Sequence, residues 1–294
     1  SMPLVNAGIN KEPGESFLAH SLMPRSPSCF MRLARLLALG MLVLLLPALT
    51  QADHGKQVIV GIHPNEPKIL INQEGQPSGI QGDLLQAIAR EEGWTLRTMQ
   101  CEWQACLDAL REGKIDLLPD TAYSEERARQ FDFHQQPALH GWSRIYRRDG
   151  IQLESILDLH GKRIAVVTGS IQQTYLTELL PGFGIQAELL PVKTIQEAFS
   201  SVANKTADVM VASRFTGDVQ APRYQLLETS IVFLPSKLFY ASRKGHNADL
   251  LAAIDRHLAQ WQSQQGSLYY KTLERWMDAP HQADLPAAVW WGLA

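Results

Sequence analysis

The feature that most constrains this chain is an alternation of strand and helix that occurs twice. "KQVIVGI" (Lys56–Ile62) is β-branched and reads as a strand. In "GDLLQAIAREEG", Leu84, Ile88 and Ala89 share one helical face and Gly93 is the stop. "TLRTM" is a strand, "WQACLDALREG" a helix with Trp103, Leu107 and Leu110 in one stripe, and "KIDLLP" a third strand. The second series runs "KRIAVVTGS", a helix from about Ile171 to Leu180, "IQAELLPV", "TIQEAFSSVAN" and "ADVMVA". Strands in such a series bury both faces only by lining up in parallel beneath covering helices. Two α/β units are therefore expected, each an open sheet with flanking helices.

Smaller signals fill in this frame. "INQEGQPSG" reads as a hairpin-like turn, and Thr194 and Glu197 have capping-box spacing. After the second unit, "SKLFYASRKG" reads as a strand. "NADLLAAIDRHLAQWQSQQG" is a helix with Leu250, Ile254, Leu258 and Trp261 on one face, and "SLYYKTLERW" is a last helix. Open α/β sheets present ligand-ready edges at the carboxyl ends of their strands, and a cleft between two of them suits a small molecule.

The formal charge of −3 over 294 residues carries no polybasic signature, so nucleic acid is not an expected partner. No C-x-x-C and no His/Cys cluster suggests zinc, and no motif calls for a cofactor. His54, His63, His134, His140 and His160 are scattered and read as surface or hinge residues. Residues 1–30 are rich in Pro, Gly and Ser and read as a disordered leader. From Met31 the pattern changes. Arg32 and Arg35 precede an apolar run from Leu36 to Leu46 and then Thr50-Gln51-Ala52, which describes a secretory signal peptide over 31–52. Export to the periplasm is the expectation. In an oxidising compartment Cys101 and Cys106 could pair or remain reduced core thiols, and the sequence leaves both open. At the other end, "LPAAVWWGLA" places Trp290 and Trp291 after a short polar linker, as at a membrane entry. Residues 280–294 are read as that linker and the start of a membrane helix.

Within this frame "SEERARQFDF" (Ser124–Phe133) sets a question: Arg127 either pairs with Glu125 or Glu126 on the surface, or waits for an anion. The segments "GQPSGIQGDLLQAIAREEGW", "WQACLDALREGKIDLLPD", "SEERARQFDF", "LHGKRIAVVTGS", "KTADVMVA" and "GSLYYKTLERW", in this order over Lys56–Met277, resemble the family 3 periplasmic solute-binding proteins, amino-acid-binding branch. The resemblance implies a two-lobed Venus flytrap. Lobe 1 would be built from 53–136 and 235–279 and lobe 2 from 142–230, with hinge crossings near Pro137–Gly141 and Ile231–Leu234. It implies that Arg127 grips a ligand carboxylate, a task that suits its planar fork. It also implies that Trp103 forms an aromatic wall, and that Thr168, Ser170 and Ile171 meet the ligand at a helix N-terminus. Asp120, Ala122, His63 and Glu66 are the other lobe 1 candidates, and Arg214 is a weaker one. Ser213 stands where the resemblance implies an amine-binding acid; a serine cannot neutralise an ammonium. Asp120 could supply that charge from lobe 1 or point away.

The implied function is extracytoplasmic binding of a small carboxylate-bearing solute, an amino acid or a related molecule, without catalysis. The implied partner is a transporter or membrane signalling subunit, and the chain is read as the sensing half of a longer membrane protein or as a free transport receptor. The alternative on the same fold is a cyclohexadienyl (arogenate or prephenate) dehydratase, for which Glu66, Glu102 and Asp120 would be the candidate acids.

Overall fold

The computed structural model describes residues 55–277. The leader and signal peptide expected over 1–52 and the linker and membrane entry expected over 280–294 lie outside the described residues. Strand β1 (Gln57–Ile62) pairs in parallel with β4 (Thr95–Gln100), from Gln57 opposite Thr95 to Ile62 opposite Gln100. Helix α1 (Gly79–Glu92) connects them and buries Ile80, Leu84, Leu85 and Ile88 completely. It ends at Gly93, whose φ of 70° is the left-handed cap that a side chain would disfavour. The expected turn is a short hairpin, β2 (Leu70–Ile71) against β3 (Pro77–Ser78). Helix α2 (Trp103–Glu112) leads to β5 (Leu118–Ala122), all five residues of which are buried. A bridge from Val60 to Leu117 sets β5 beside β1.

After the short helix α3 (Glu125–Ala128) and β6 (Phe131–Phe133), β7 (Leu139–Arg148) carries the chain into the second unit. That unit holds β8 (Arg163–Val167), α4 (Ile171–Gly182), β9 (Glu188–Val192), α5 (Ile195–Ala203), β10 (Val209–Ser213) and α6 (Arg214–Gln220). The 18-residue β11 (Leu226–Arg243) carries the chain back, and α7 (Ala248–Gln262) and α8 (Leu268–Met277) follow. Tyr240, Leu250, Ile254 and Leu258 join Val58, Val60 and Ile62 in one core, so the end of the described chain completes the first lobe.

The sheets are less separate than the sequence implies. One sheet runs β5-β11-β7-β10-β8-β9, with β6 also on β11. The reason is the pairing of β7 with β11: Leu238 lies opposite both Leu139 and Ala122, whereas Ser143 lies opposite both Phe233 and Ser213. The two crossing strands thus belong to both lobes. Their ladder shifts between Phe233 and Ser236, and Leu234 there has φ 52°. That irregularity lies at the C-terminal side of the stretch expected as the second crossing.

Two local expectations need correction. His134 is not a surface or hinge residue: it is buried, its Nε2 accepts the Tyr240 N–H at 3.0 Å, and Asp255 lies 3.4 Å from its Nδ1. The capping box is half made. Thr194 Oγ1 accepts from the Glu197 N–H, but the Glu197 carboxylate accepts from the Lys193 N–H, one residue before the cap.

Lobe 2 is fastened at the strand ends remote from the cleft by Asp208, which takes Arg163 and Arg148 at 3.0 Å each. The Arg163 hydrogen bond, against the opposing effect of burial, holds the Asp208 carboxyl well below the usual carboxylate range. On the helix side, Gly217 of α6 lies against the fully buried ring of Tyr146, whose hydroxyl donates to Asp218 at 2.8 Å. A Cβ at Gly217 would overlap that ring. Gly217→Ala is therefore expected to destabilise the protein by roughly 1–3 kcal/mol, the usual cost of overpacking, read as a lower urea midpoint with an unchanged slope.

Candidate functional site

The carboxyl ends of β1, β5, β8 and β10 converge on a cavity of about 650 Å³ lined from both lobes. Arg127 lies at its heart. Ser124 caps α3 by accepting the Arg127 N–H at 3.2 Å, which fixes the backbone there. The guanidinium turns inward rather than toward Glu125 or Glu126. Its Nη1 donates to Ala122 O at 2.9 Å, its Nη2 donates to Gly169 O at 3.0 Å, and it stacks 5.2 Å from the Trp103 ring. Burial lowers its pKa to about 10, with Glu126 and Asp120 opposing the shift, so it is charged at neutral pH.

Trp103 is buried at the start of α2, and its Nε1 donates to the same Gly169 carbonyl at 3.0 Å. The His63 and Trp103 rings pack edge to face, their centroids 4.5 Å apart. A disulfide between Cys101 and Cys106, with Cα atoms 5.4 Å apart, staples the end of β4 to the first turn of α2 and so holds this tryptophan in place. This settles the pairing that the sequence left open.

Asp120 is the most constrained residue of the wall. Its φ of 57° is unusual for a residue with a side chain, a strain that persists where surroundings fix it. Its N–H donates to the buried Gln81 Oε1. Its carboxylate receives Lys68 Nζ at 2.6 and 2.7 Å and Asn65 Nδ2 at 2.8 Å, with His63 Nε2 at 3.2 Å. Burial pushes its pKa up, but the Lys68 charge and His63 more than offset this, and it stays below the usual value. Asp120 is therefore neutralised by Lys68 and does not offer a free negative charge to a ligand.

Of the other candidates, Ala122, Ser170, Ile171, Ser213 and His63 line the cavity. Ser170 Oγ caps α4 by accepting the Gln173 N–H at 3.2 Å. Three candidates lie elsewhere. The Thr168 N–H is bonded to Val192 O at 2.8 Å, and the residue is not in the lining. Arg214 stacks between Trp142 and Phe215, outside the lining. Glu66 faces Arg223 across the lobes, accepting its two terminal nitrogens at 2.6 and 2.9 Å. Sequence reasoning missed Lys68, Asn65, Gln100, Gln172 and Gln196, all in the lining. Asn65 and Lys68 follow directly on β1, so the rule that ligands gather at strand carboxyl ends could have flagged them.

The lobes touch through other side chains as well, both in the cavity wall and beyond it. Gln220 Nε2 donates to Glu66 O at 2.9 Å, and Thr216 Oγ1 donates to Asn65 Oδ1 at 2.7 Å. These contacts and the Glu66–Arg223 fork exist only when the lobes are together. Arg223→Ala is expected to weaken solute binding by about two- to fivefold, as for a partly exposed pair, without a change in the cavity. Calorimetry beside a melting curve checks this: affinity should fall while stability hardly moves.

Two lobes joined by a pair of crossing strands, with an inward arginine and a cavity between them, define a small-molecule binding protein of the Venus flytrap kind. The chain belongs to the bacterial extracellular solute-binding proteins, family 3, whose model matches residues 58–279. It is 24% identical over 236 residues to the L-cystine-binding protein TcyJ of Bacillus subtilis, covering 76% of this chain and 85% of that one. It is 30% identical over 188 residues to an L-arginine-binding protein of Pseudomonas aeruginosa, covering 62% and 69%. Among solved structures, a histidine kinase sensor domain with similarity to periplasmic binding proteins matches with a TM-score of 0.66 at 28% identity, covering 76% of this chain and 97% of that one.

Proposed function

We propose that this protein captures a small carboxylate-bearing solute, an amino acid or a related molecule, in the periplasm by closing its lobes around Arg127. The supporting observation is that guanidinium: it is charged, it points into a cavity between the lobes, and it forms no ion pair among the described residues. A buried cation without an anion is costly, and a ligand carboxylate would remove that cost. Gly169 of lobe 2 already receives both Arg127 and Trp103 of lobe 1, so the anchor and the closing contact are the same group.

Catalysis is not part of this reading. A dehydratase needs an acid free to give a proton at the reacting atom. Asp120 is held by Lys68, Glu66 is held by Arg223 outside the cavity, and Glu102 is exposed. The partner is a membrane protein, either a transporter or a signalling subunit. Similarity to a kinase sensor domain supports the second, in which closure is relayed through α8 toward the membrane. Ligand would shift that equilibrium only by its differential affinity for the closed form.

A thermal-shift panel of amino acids, organic acids and polyamines tests the reading, because a ligand of the folded state raises the melting temperature. Carboxylates should stabilise and polyamines should not. Stabilisation by polyamines alone would overturn it.

A further inference from the structure

An α-amino acid needs two opposite charges answered. The cavity answers one. An ammonium can be held by a carboxylate, by backbone carbonyls or by an aromatic face, and the buried groups of each kind beside Arg127 already have partners. The lining holds two acids. Asp120 already binds Lys68 through both oxygens, with Asn65 and His63 in addition. Glu102 is exposed to water at the start of α2, and Lys193 lines the opposite lobe, also exposed. The carbonyls of Ala122 and Gly169 accept from Arg127 and Trp103. The Trp103 face is stacked by Arg127 itself. At the end of β10, where lobe 2 could offer an acid, the lining residue is Ser213. Inside the cavity Arg127 is therefore a positive charge with no ion-pair partner among the described residues. A ligand carboxylate would answer Arg127, whereas an ammonium brought in on the same ligand would find no free buried acid of the cavity to answer it.

The rest of the lining is neutral. Gln100, Gln172 and Gln196 offer amides that both donate and accept, while Val167, Ile195 and Leu238 are apolar. Such walls fit hydroxyl, carbonyl or amide groups on a partly apolar body.

We infer that the ligand is an amine-free carboxylic acid, a small molecule with one carboxylate and neutral polar substituents such as a 2-hydroxy or 2-oxo group. This rests on the proposed reading that Arg127 anchors a carboxylate. The test compares pairs that share a side chain: leucine with 2-hydroxy-4-methylpentanoate, phenylalanine with 3-phenyllactate, and glutamine with its 2-hydroxy analogue. Each is titrated into the full chain by calorimetry. The expected result is at least tenfold tighter binding of the hydroxy acid in each pair that binds. Ser213→Asp, checked by its melting curve, should reverse or abolish that preference by returning an acid to the cavity. Equal or tighter binding of the amino acid overturns the inference while carboxylate capture stands. An unchanged ratio in a folded Ser213→Asp variant also overturns it. Binding by no member of any pair overturns the reading of the site and the inference with it.

Discussion

Arg127→Ala is expected to weaken carboxylate binding by about 2–5 kcal/mol, the range for truncating one partner of a hydrogen-bonded charge pair. Three losses add up. The ligand loses a bidentate donor, Trp103 loses the cation stacked 5.2 Å from its ring, and Gly169 of lobe 2 loses one of its two donors from lobe 1. Arg127→Lys separates charge from geometry. Lysine keeps the charge but has no planar fork, so about 1.5–3 kcal/mol should still be lost. Calorimetry on the two variants checks both figures. Unchanged affinity in Arg127→Lys, for a ligand that carries a carboxylate, would remove the fork from the explanation.

Asp120→Asn should destabilise the fold itself. The substitution preserves shape but leaves the Lys68 ammonium, whose side chain is 5% exposed, without its counter-charge. Breaking a buried pair from one side costs roughly 3–5 kcal/mol. For a domain of this size that lowers the melting temperature by roughly 6–20 °C. A Lys68→Met, Asp120→Asn double variant should lose less than the sum of the single changes, because no orphan charge remains. The same pair sets a pH dependence. The folded Asp120 carboxyl titrates below its unfolded value, so its contribution is complete above the unfolded pKa of about 4 and is lost as pH falls through the lower folded value. The stability gap between the native protein and Asp120→Asn should therefore be constant near neutrality and shrink in strong acid. A gap that grew with acidity would contradict the pairing.

Much of the fold was legible because the signals are local. A β-branched run, an apolar stripe at helical spacing and a glycine stop are each contained in about a dozen residues, and α1 ends at Gly93 as its sequence indicates. Arg127 stood out because the motif that carries the family resemblance is contiguous, and the structure places that arginine in the cavity lining. The charge state of the cavity was not legible. Lys68 and Asp120 are 52 positions apart, and nothing near "NEPKIL" shows that its lysine folds inward onto an acid. Asp120 therefore read as a residue that could supply negative charge or point away, when Lys68 already neutralises it. Glu66 read as a pocket residue, but its partner Arg223 lies 157 positions away in the other lobe. The buried His134 was missed because its environment comes from β11 and α7, more than a hundred residues downstream. The continuity of the sheet was hidden likewise: β7 and β11 each look like ordinary strands until their register is known.

The most direct measurement is a crystal structure of the protein with the tightest-binding acid from the hydroxy-acid and amino-acid pairs. The expected result is a closed pair of lobes with both ligand carboxylate oxygens within about 3 Å of the Arg127 guanidinium, and the body of the ligand against Trp103 and the apolar wall of lobe 2. A carboxylate turned away from Arg127, or a ligand held by one lobe alone, would contradict it.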